Sequence, residues 1–290
     1  MKSKFHYTHW RQHVALDVGT ATTRIAMGQS AIIEKPSRVE GKRALSRGVV
    51  VDAEAVLHIL KPLLDGARIF GVVKPFVLAC APSDACREER QLLMDSISKA
   101  GAASVCIIPE PLAAAIGSGL DVSSPYAQMV IDIGEGVTDC AIIRESKISA
   151  TCAIRVGCEQ MRRAIVAAAR ERGAAALDDS DADLMMRTLG LGRSSGPAGG
   201  ILAADALQPV LEEIVGTVES FIRDLPDELG CEVIESGICL TGGGALIPGV
   251  GACIEQRTGI GITIASNPRG SVVEGARNIL PVVLLLNNWK

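Results

Sequence analysis

Two aspartates, Asp17 and Asp132, each head the same short pattern: Asp17-Val18-Gly19-Thr20-Ala21-Thr22-Thr23 and Asp132-Ile133-Gly134-Glu135-Gly136-Val137-Thr138. Aligned on the aspartates, Gly19 matches Gly134, Thr23 matches Thr138 and Ala26 matches Ala141. The chemistry that suits such a repeat is the gripping of a polyphosphate. Glycine lets backbone N–H groups approach phosphate oxygens, and a carboxylate beside them addresses the accompanying Mg²⁺ through water. A third glycine-rich turn, Leu240-Thr241-Gly242-Gly243-Gly244-Ala245, closes another apolar run. One Asp-x-Gly turn is ordinarily only a hairpin. Two copies and a third glycine turn point to a nucleotide clamp.

The elements that must position these turns are legible in the hydrophobic periodicity. Val14-Ala15-Leu16 leads into the first turn and Ile25-Ala26-Met27 out of it, and Met129-Val130-Ile131 and Ala141-Ile142-Ile143 do the same for the second. Each reads as strand, tight turn, strand. Further strands are predicted at Phe76 to Ala81, Ser104 to Ile108, Gln128 to Ile131, Cys140 to Ile143 and Gly237 to Leu240. Helices are predicted from Ser83 to Ala100, stopped by Gly101, and from Asp205 to Leu225, stopped by Pro226. In the second helix Leu207, Leu211, Ile214, Val215 and Val218 recur at the spacing of a buried stripe. The class is therefore α/β. Gly190 to Gly200 reads as a flexible surface loop.

Composition narrows the function classes. A chain of 290 residues that is 48% hydrophobic and 21% charged can bury a sizeable core and divide into two lobes. Its formal charge of −4 argues against a nucleic-acid binder held by a basic field. The nine cysteines lie mostly in apolar runs without a Cys-x-x-Cys pair, as in a reducing cytoplasm. The apolar run from Ile279 to Leu286 is too short to cross a bilayer, and Met1 to His13 has no signal-peptide character.

The two Asp-Gly hairpins, the later Gly-Gly-Gly turn, and Ile108-Pro109-Glu110-Pro111-Leu112-Ala113-Ala114-Ala115-Ile116-Gly117 between the hairpins together resemble the actin-like ATPase superfamily. Within it the sequence is most similar to the rod-shape-determining bacterial actins. The likeness extends to Arg47-Gly48-Val49-Val50-Val51-Asp52, to Arg155-Val156-Gly157 and to Leu225-Pro226-Asp227-Glu228-Leu229, and so covers most of the chain. It implies a two-lobed fold of duplicated ribonuclease-H-like domains: a first lobe over 1–123, a second over 124–270, and a segment 271–290 returning to the first. It also implies ATP and Mg²⁺ as ligands. Asp17 and Asp132 would set the metal's water shell. Gly19, Thr20, Thr22 and Thr23, with Gly134, Glu135, Gly136 and Thr138, would grip the phosphates. Gly157 stands at the start of the helix that follows, and Gly242, Gly243, Gly244 and Ala245 would lie against the nucleoside. Glu110 takes the position of the carboxylate that orients the attacking water, with Asp132 as the second catalytic residue.

The sequence also departs from the resembled family. Glu135 stands where the family has glycine, and a carboxylate about 4 Å from a phosphate charge would cost on the order of 4 kcal/mol at an effective dielectric of 20 unless it swings away or meets Mg²⁺. Thr22 replaces the usual Asn. Met185-Met186-Arg187-Thr188 replaces an adenine-contacting Lys and Glu, leaving core residues or an altered base pocket as readings. Where the family inserts a small subdomain there is only a short polar link, Arg38 to Ser46, and the second lobe's outer subdomain is reduced to about 173–207. Weak self-assembly follows, because little apolar surface is left for a standard interface.

Phe5, Tyr7 and Trp10 sit with Lys2, Lys4 and Arg11, a mix that suits an interfacial anchor, and Ile69-Phe70-Gly71-Val72-Val73 lies where the family carries an apolar loop. Against this stand a frayed terminus and a buried loop. The function implied is a nucleotide-binding cytoskeletal protein of cell shape with slow ATP hydrolysis, cytoplasmic and peripheral on the inner membrane face through residues 1–11 and 69–73. Its partners would be ATP, itself or a full-length bacterial actin. The alternatives are a non-polymerising scaffold with weakened nucleotide binding and a small chaperone-type ATPase.

Overall fold

Both copies of the repeated pattern are antiparallel hairpins, and each is the centre of a five-stranded sheet of the same design. The computed structural model describes residues 12–173, 177–192 and 198–287. The first sheet has the order β3-β2-β1-β8-β9, from β1 (His13–Val18), β2 (Thr22–Met27), β3 (Ile33–Pro36), β8 (Phe76–Ala81) and β9 (Ser104–Pro109). The second repeats it as β12-β11-β10-β13-β14, from β10 (Gln128–Ile133), β11 (Thr138–Arg144), β12 (Lys147–Ile154), β13 (Ile238–Thr241) and β14 (Ile262–Ile264). In each, β1 or β10 pairs antiparallel with the strand after it and parallel with a strand brought back by a crossover. The duplicated, two-lobed α/β architecture expected from the sequence is present.

Three apolar clusters follow from this doubling. Helices α1 (Ala53–Gly66) and α2 (Arg87–Ala100) cover the outer face of the first sheet, with Leu60, Leu64 and Ile97 against Val14, Leu16 and Val77. Around the second lie α4 (Cys158–Glu171), α5 (Asp179–Thr188), α6 (Ala198–Arg223), α7 (Asp227–Ser236) and α8 (Val250–Thr258). The predicted stripe Leu207, Leu211, Ile214, Val215 and Val218 is buried there. Between the sheets, α3 (Glu110–Gly117) and α9 (Ser271–Asn287) pack against Ala15, Leu78, Val130 and Ala141.

The contact of α3 with α9 is made by backbone. A Cβ on Gly275 would run into the Ala113 carbonyl and the Gly117 amide, and one on Gly117 would run into the Ser271 carbonyl. Only glycine allows this approach. It fixes the axis of α3, whose first residue is Glu110.

Some boundaries differ from the sequence reading for identifiable reasons. Helix α2 starts at Arg87, not Ser83, because the Ser83 amide and hydroxyl donate to Asp139 and the Cys86 amide donates to Glu89. Helix α6 begins seven residues before Asp205, so 198–200 of the expected loop are helical; 193–197 lie outside the described residues. The link from Arg38 to Ser46 is not featureless. It folds into β4 (Arg38–Val39) with β5 (Lys42–Arg43), then β6 (Leu45–Ser46) with β7 (Val49–Val50), and buries Ala44 and Leu45. Among the described residues no helix is long and apolar enough to cross a membrane.

Candidate functional site

The three glycine-rich turns converge. Asp17, Gly19, Thr20 and Thr22 from the first hairpin, Asp132, Gly134, Glu135 and Gly136 from the second, and Gly242 and Gly243 from the third line one cleft, and Glu110 joins them from the start of α3. The cleft measures about 1110 Å³ including its open mouth. Each hairpin closes on itself: Gly19 N–H donates to Thr22 O (3.2 Å) and Gly134 N–H to Val137 O (2.8 Å). Gly242, at φ +82°, presses so close to Asp132 that a Cβ there would meet the carboxylate.

Other predicted site residues stand behind this lining. The matched threonines do the same structural work in the two copies: Thr23 and Ser37 share a hydroxyl hydrogen bond of 2.9 Å, and Thr138 Oγ1 donates to Val156 O at 2.9 Å. Gly157 leaves room for the second turn, whose Gly134 and Glu135 carbonyls accept from the Cys158 and Glu159 amides at the start of α4. Gly244 packs on Ile133, and Ala245 is buried.

Four carboxylates crowd the floor: Asp17, Glu110, Asp132 and Asp139. Burial pushes Asp132 up to about 7, reinforced by Asp17 and Asp139. Burial likewise holds Glu110 well above the usual carboxylate range, with Asp17, Asp139 and Asp132 adding to it. It raises Asp17 too, opposed by Arg24, and takes Asp139 to about 6 against the Ser83 hydrogen bonds. Such a group is stabilised as anions by an arriving cation. Among the described residues no three His, Cys, Asp or Glu side chains are arranged to cage a metal unaided. The carboxylates of Asp17 and Asp132 fit Mg²⁺ in its usual habit, held by one or two carboxylates and by the phosphates of a ligand.

Sequence reasoning missed the charged walls. Arg24 and Asp139 occupy the same position in the two copies, seven residues after each aspartate and directly across the hairpin from it; that spacing was the available signal. Arg162, on α4, holds Glu135 through both nitrogens of its fork, one at 3.0 Å, and approaches Asp183 at 3.6 Å. The Glu135 carboxylate thus swings away from the turn into an ion pair, and the expected repulsion is offset. On α5, Asp183, Met186 and Arg187 line the cleft, so Met186 is both a core residue and a wall.

The two sheets are tied beside the cleft by charge. Arg155 donates to Asp84 (2.7 Å), Glu89 (3.2 Å) and the Arg47 carbonyl (2.6 Å), and Arg43 pairs with Glu159. Gly48 N–H donates to Thr20 Oγ1 at 2.9 Å.

The model of the MreB/Mbl protein family matches residues 30–194 and 202–286. The chain belongs to the MreB/Mbl family. Among curated relatives, it is similar to the cell shape-determining protein MreB of Escherichia coli (strain K12), with 29% identity over 326 residues that cover 93% of each chain. The cell shape-determining protein Mbl of Bacillus subtilis (strain 168) is 26% identical over 286 residues, covering 90% of this chain and 86% of Mbl. The crystal structure of MreB5 of Spiroplasma citri bound to ADP superposes with a TM-score of 0.87 at 23% identity, over 96% of this chain and 98% of that one. The actin-like fold of this MreB/Mbl protein is thereby shown, and it is an MreB-like cytoskeletal protein.

Proposed function

We propose that this MreB/Mbl protein is a compact cell-shape protein that binds ATP with Mg²⁺ between its two hairpins and hydrolyses it slowly. The observation that carries this reading is the convergence of Asp17, Asp132, Glu110 and three glycine-rich turns on one cleft. MreB5 of Spiroplasma citri has been crystallised with ADP and with AMPPNP, which supports the same ligand class here. Asp17 and Asp132 would hold the metal through its water shell, and Mg²⁺ would supply charge neutralisation on the phosphates. With the Gly19 and Gly134 amides used inside the turns, the amides of Thr20, Ala21, Glu135 and Gly136 would meet the phosphate oxygens. Glu110 would orient the attacking water. The scaffold alternative rests on Glu135, whose charge Arg162 offsets, and on the missing subdomain near Arg38 to Ser46.

Calorimetry tests the reading. ATP should bind in Mg²⁺ and bind more weakly in EDTA, and Asp132→Ala should erase the difference. A parent protein that takes up no ATP in Mg²⁺, or an Asp132→Ala variant with full Mg²⁺-dependent affinity, would remove the site assignment.

The Glu135–Arg162 pair gives a second expectation. Arg162→Ala leaves a carboxylate unpaired beside the phosphates and should weaken ATP binding roughly tenfold, whereas Glu135→Gly in the Arg162→Ala background should recover most of the loss. Additive effects in that double-mutant cycle would show that the pair does not act as a unit.

The membrane role rests on the loop from Ile69 to Val73, since Met1 to Arg11 lies outside the described residues. The loop is not buried: Phe70 and Val72 are 86% and 73% exposed, a presentation that suits insertion at a bilayer surface. Phe70→Ser with Val72→Ser should reduce pelleting with anionic liposomes. Undiminished pelleting would exclude the loop as the anchor. The protein's own copies or a longer family member are the protein partners this reading allows, on the cytoplasmic side.

A further inference from the structure

Two rows of alternating charge line the cleft, and no role given so far uses their outer ends. In the first, Asp17, Arg24 and Glu34 are cross-strand neighbours on β1, β2 and β3, joined at 3.5 and 2.9 Å, and Arg269 reaches Glu34 at 3.8 Å. In the second, Arg162 lies between Glu135 and Asp183, and Arg187 Nε holds Asp183 at 2.8 Å. The outer end of each row is the more exposed one: 46% at Arg269 against 9% at the Asp17 side chain, and 57% at Arg187 against 18% at Glu135. Each row sums to zero but turns its positive end toward solvent.

That polarity matters because the chain as a whole is acidic. The chain carries a formal −4, and acidic side chains, Asp17 and Asp139 among them, line the cleft floor. A polyphosphate approaching from solvent meets this field first. The inner arginines sit between two acids each, whereas each outer arginine only shares its acid with an inner one. Arg187 comes from α5 and Arg269 from the loop before α9, and both line the same cleft.

We propose that Arg187 and Arg269 form a two-sided cationic lip that captures nucleoside polyphosphates and delivers them to the cleft. The inference rests on the nucleotide reading above and adds how the ligand arrives. Charges at the mouth of a low-dielectric cleft raise association rates by about ten- to a thousandfold, and they act within a Debye length, about 10 Å at 0.1 M salt. The lip therefore governs the on-rate and not the grip.

Stopped-flow mixing of the full chain with Mg²⁺ and fluorescent N-methylanthraniloyl-ATP separates the two rates. At low ionic strength, Arg187→Gln with Arg269→Gln should slow association by about fivefold or more while dissociation changes by less than about twofold. The difference should shrink at about 0.5 M salt and be smaller for the less charged ADP analogue. Both side chains are half-exposed, and an unchanged melting temperature establishes that the variant is folded. Equal on-rates would overturn the lip and leave the nucleotide site standing, as would a loss confined to the off-rate. Absence of any signal from the parent protein would overturn the nucleotide reading and the lip with it.

Discussion

Glu110→Gln should hydrolyse ATP at least about a hundredfold more slowly than the parent while binding it within a few-fold, the signature of a group that acts in the transition state. The substitution keeps the shape and a hydrogen-bonding oxygen and removes the base. Glu110 is placed for this by two prolines: Pro109 ends β9 in extended backbone, and Pro111 fits the first turn of α3, where a missing N–H costs nothing. Burial and the neighbouring aspartates hold its carboxyl protonated well above the ordinary range. It becomes a base only when cations offset those charges or the pH rises, so turnover should climb with pH more steeply in the parent than in the variant, where Asp132 and Asp139 still titrate. Phosphate release measured across pH checks both points. Equal turnover of the two proteins would remove Glu110 from the chemistry.

Gly275→Ala should cost about 3 kcal/mol of stability, at the upper end for an overpacked core, because the atoms its Cβ meets are backbone and cannot turn aside. The helices must part instead. Since α3 begins at Glu110, the same variant should lose turnover out of proportion to nucleotide affinity. Denaturant unfolding and single-turnover kinetics together test this. Parent-like stability would mean that α3 and α9 do not meet as closely as the structure has them.

Most of the fold was legible because duplication leaves a trace in sequence. Asp17 and Asp132 announced the hairpins, and the apolar runs around them became the strand order of both sheets. The glycines of the two hairpins were legible for the same reason, whereas Glu110 between its prolines was singled out through the resemblance to the actin-like ATPases. What stayed hidden depends on contacts between distant segments. Nothing near Glu135 says that Arg162, 27 residues on, will take its carboxylate. Nor does Ser83 announce that Asp139 will claim its amide and set back the start of α2. The matched Thr23 and Thr138 looked like ligand contacts, yet in both copies the hydroxyl is spent on bracing a strand.

The equivalence of Arg24 and Asp139 carries one more consequence. Two copies of a hairpin facing across a cleft approximate a twofold axis, and a phosphate chain could thread such a site in either direction at nearly equal free energy. Opposite charges at corresponding positions break that degeneracy, since one end of the site then favours anions and the other favours cations. A phosphate chain seated in such a duplicated scaffold would then have one favoured orientation.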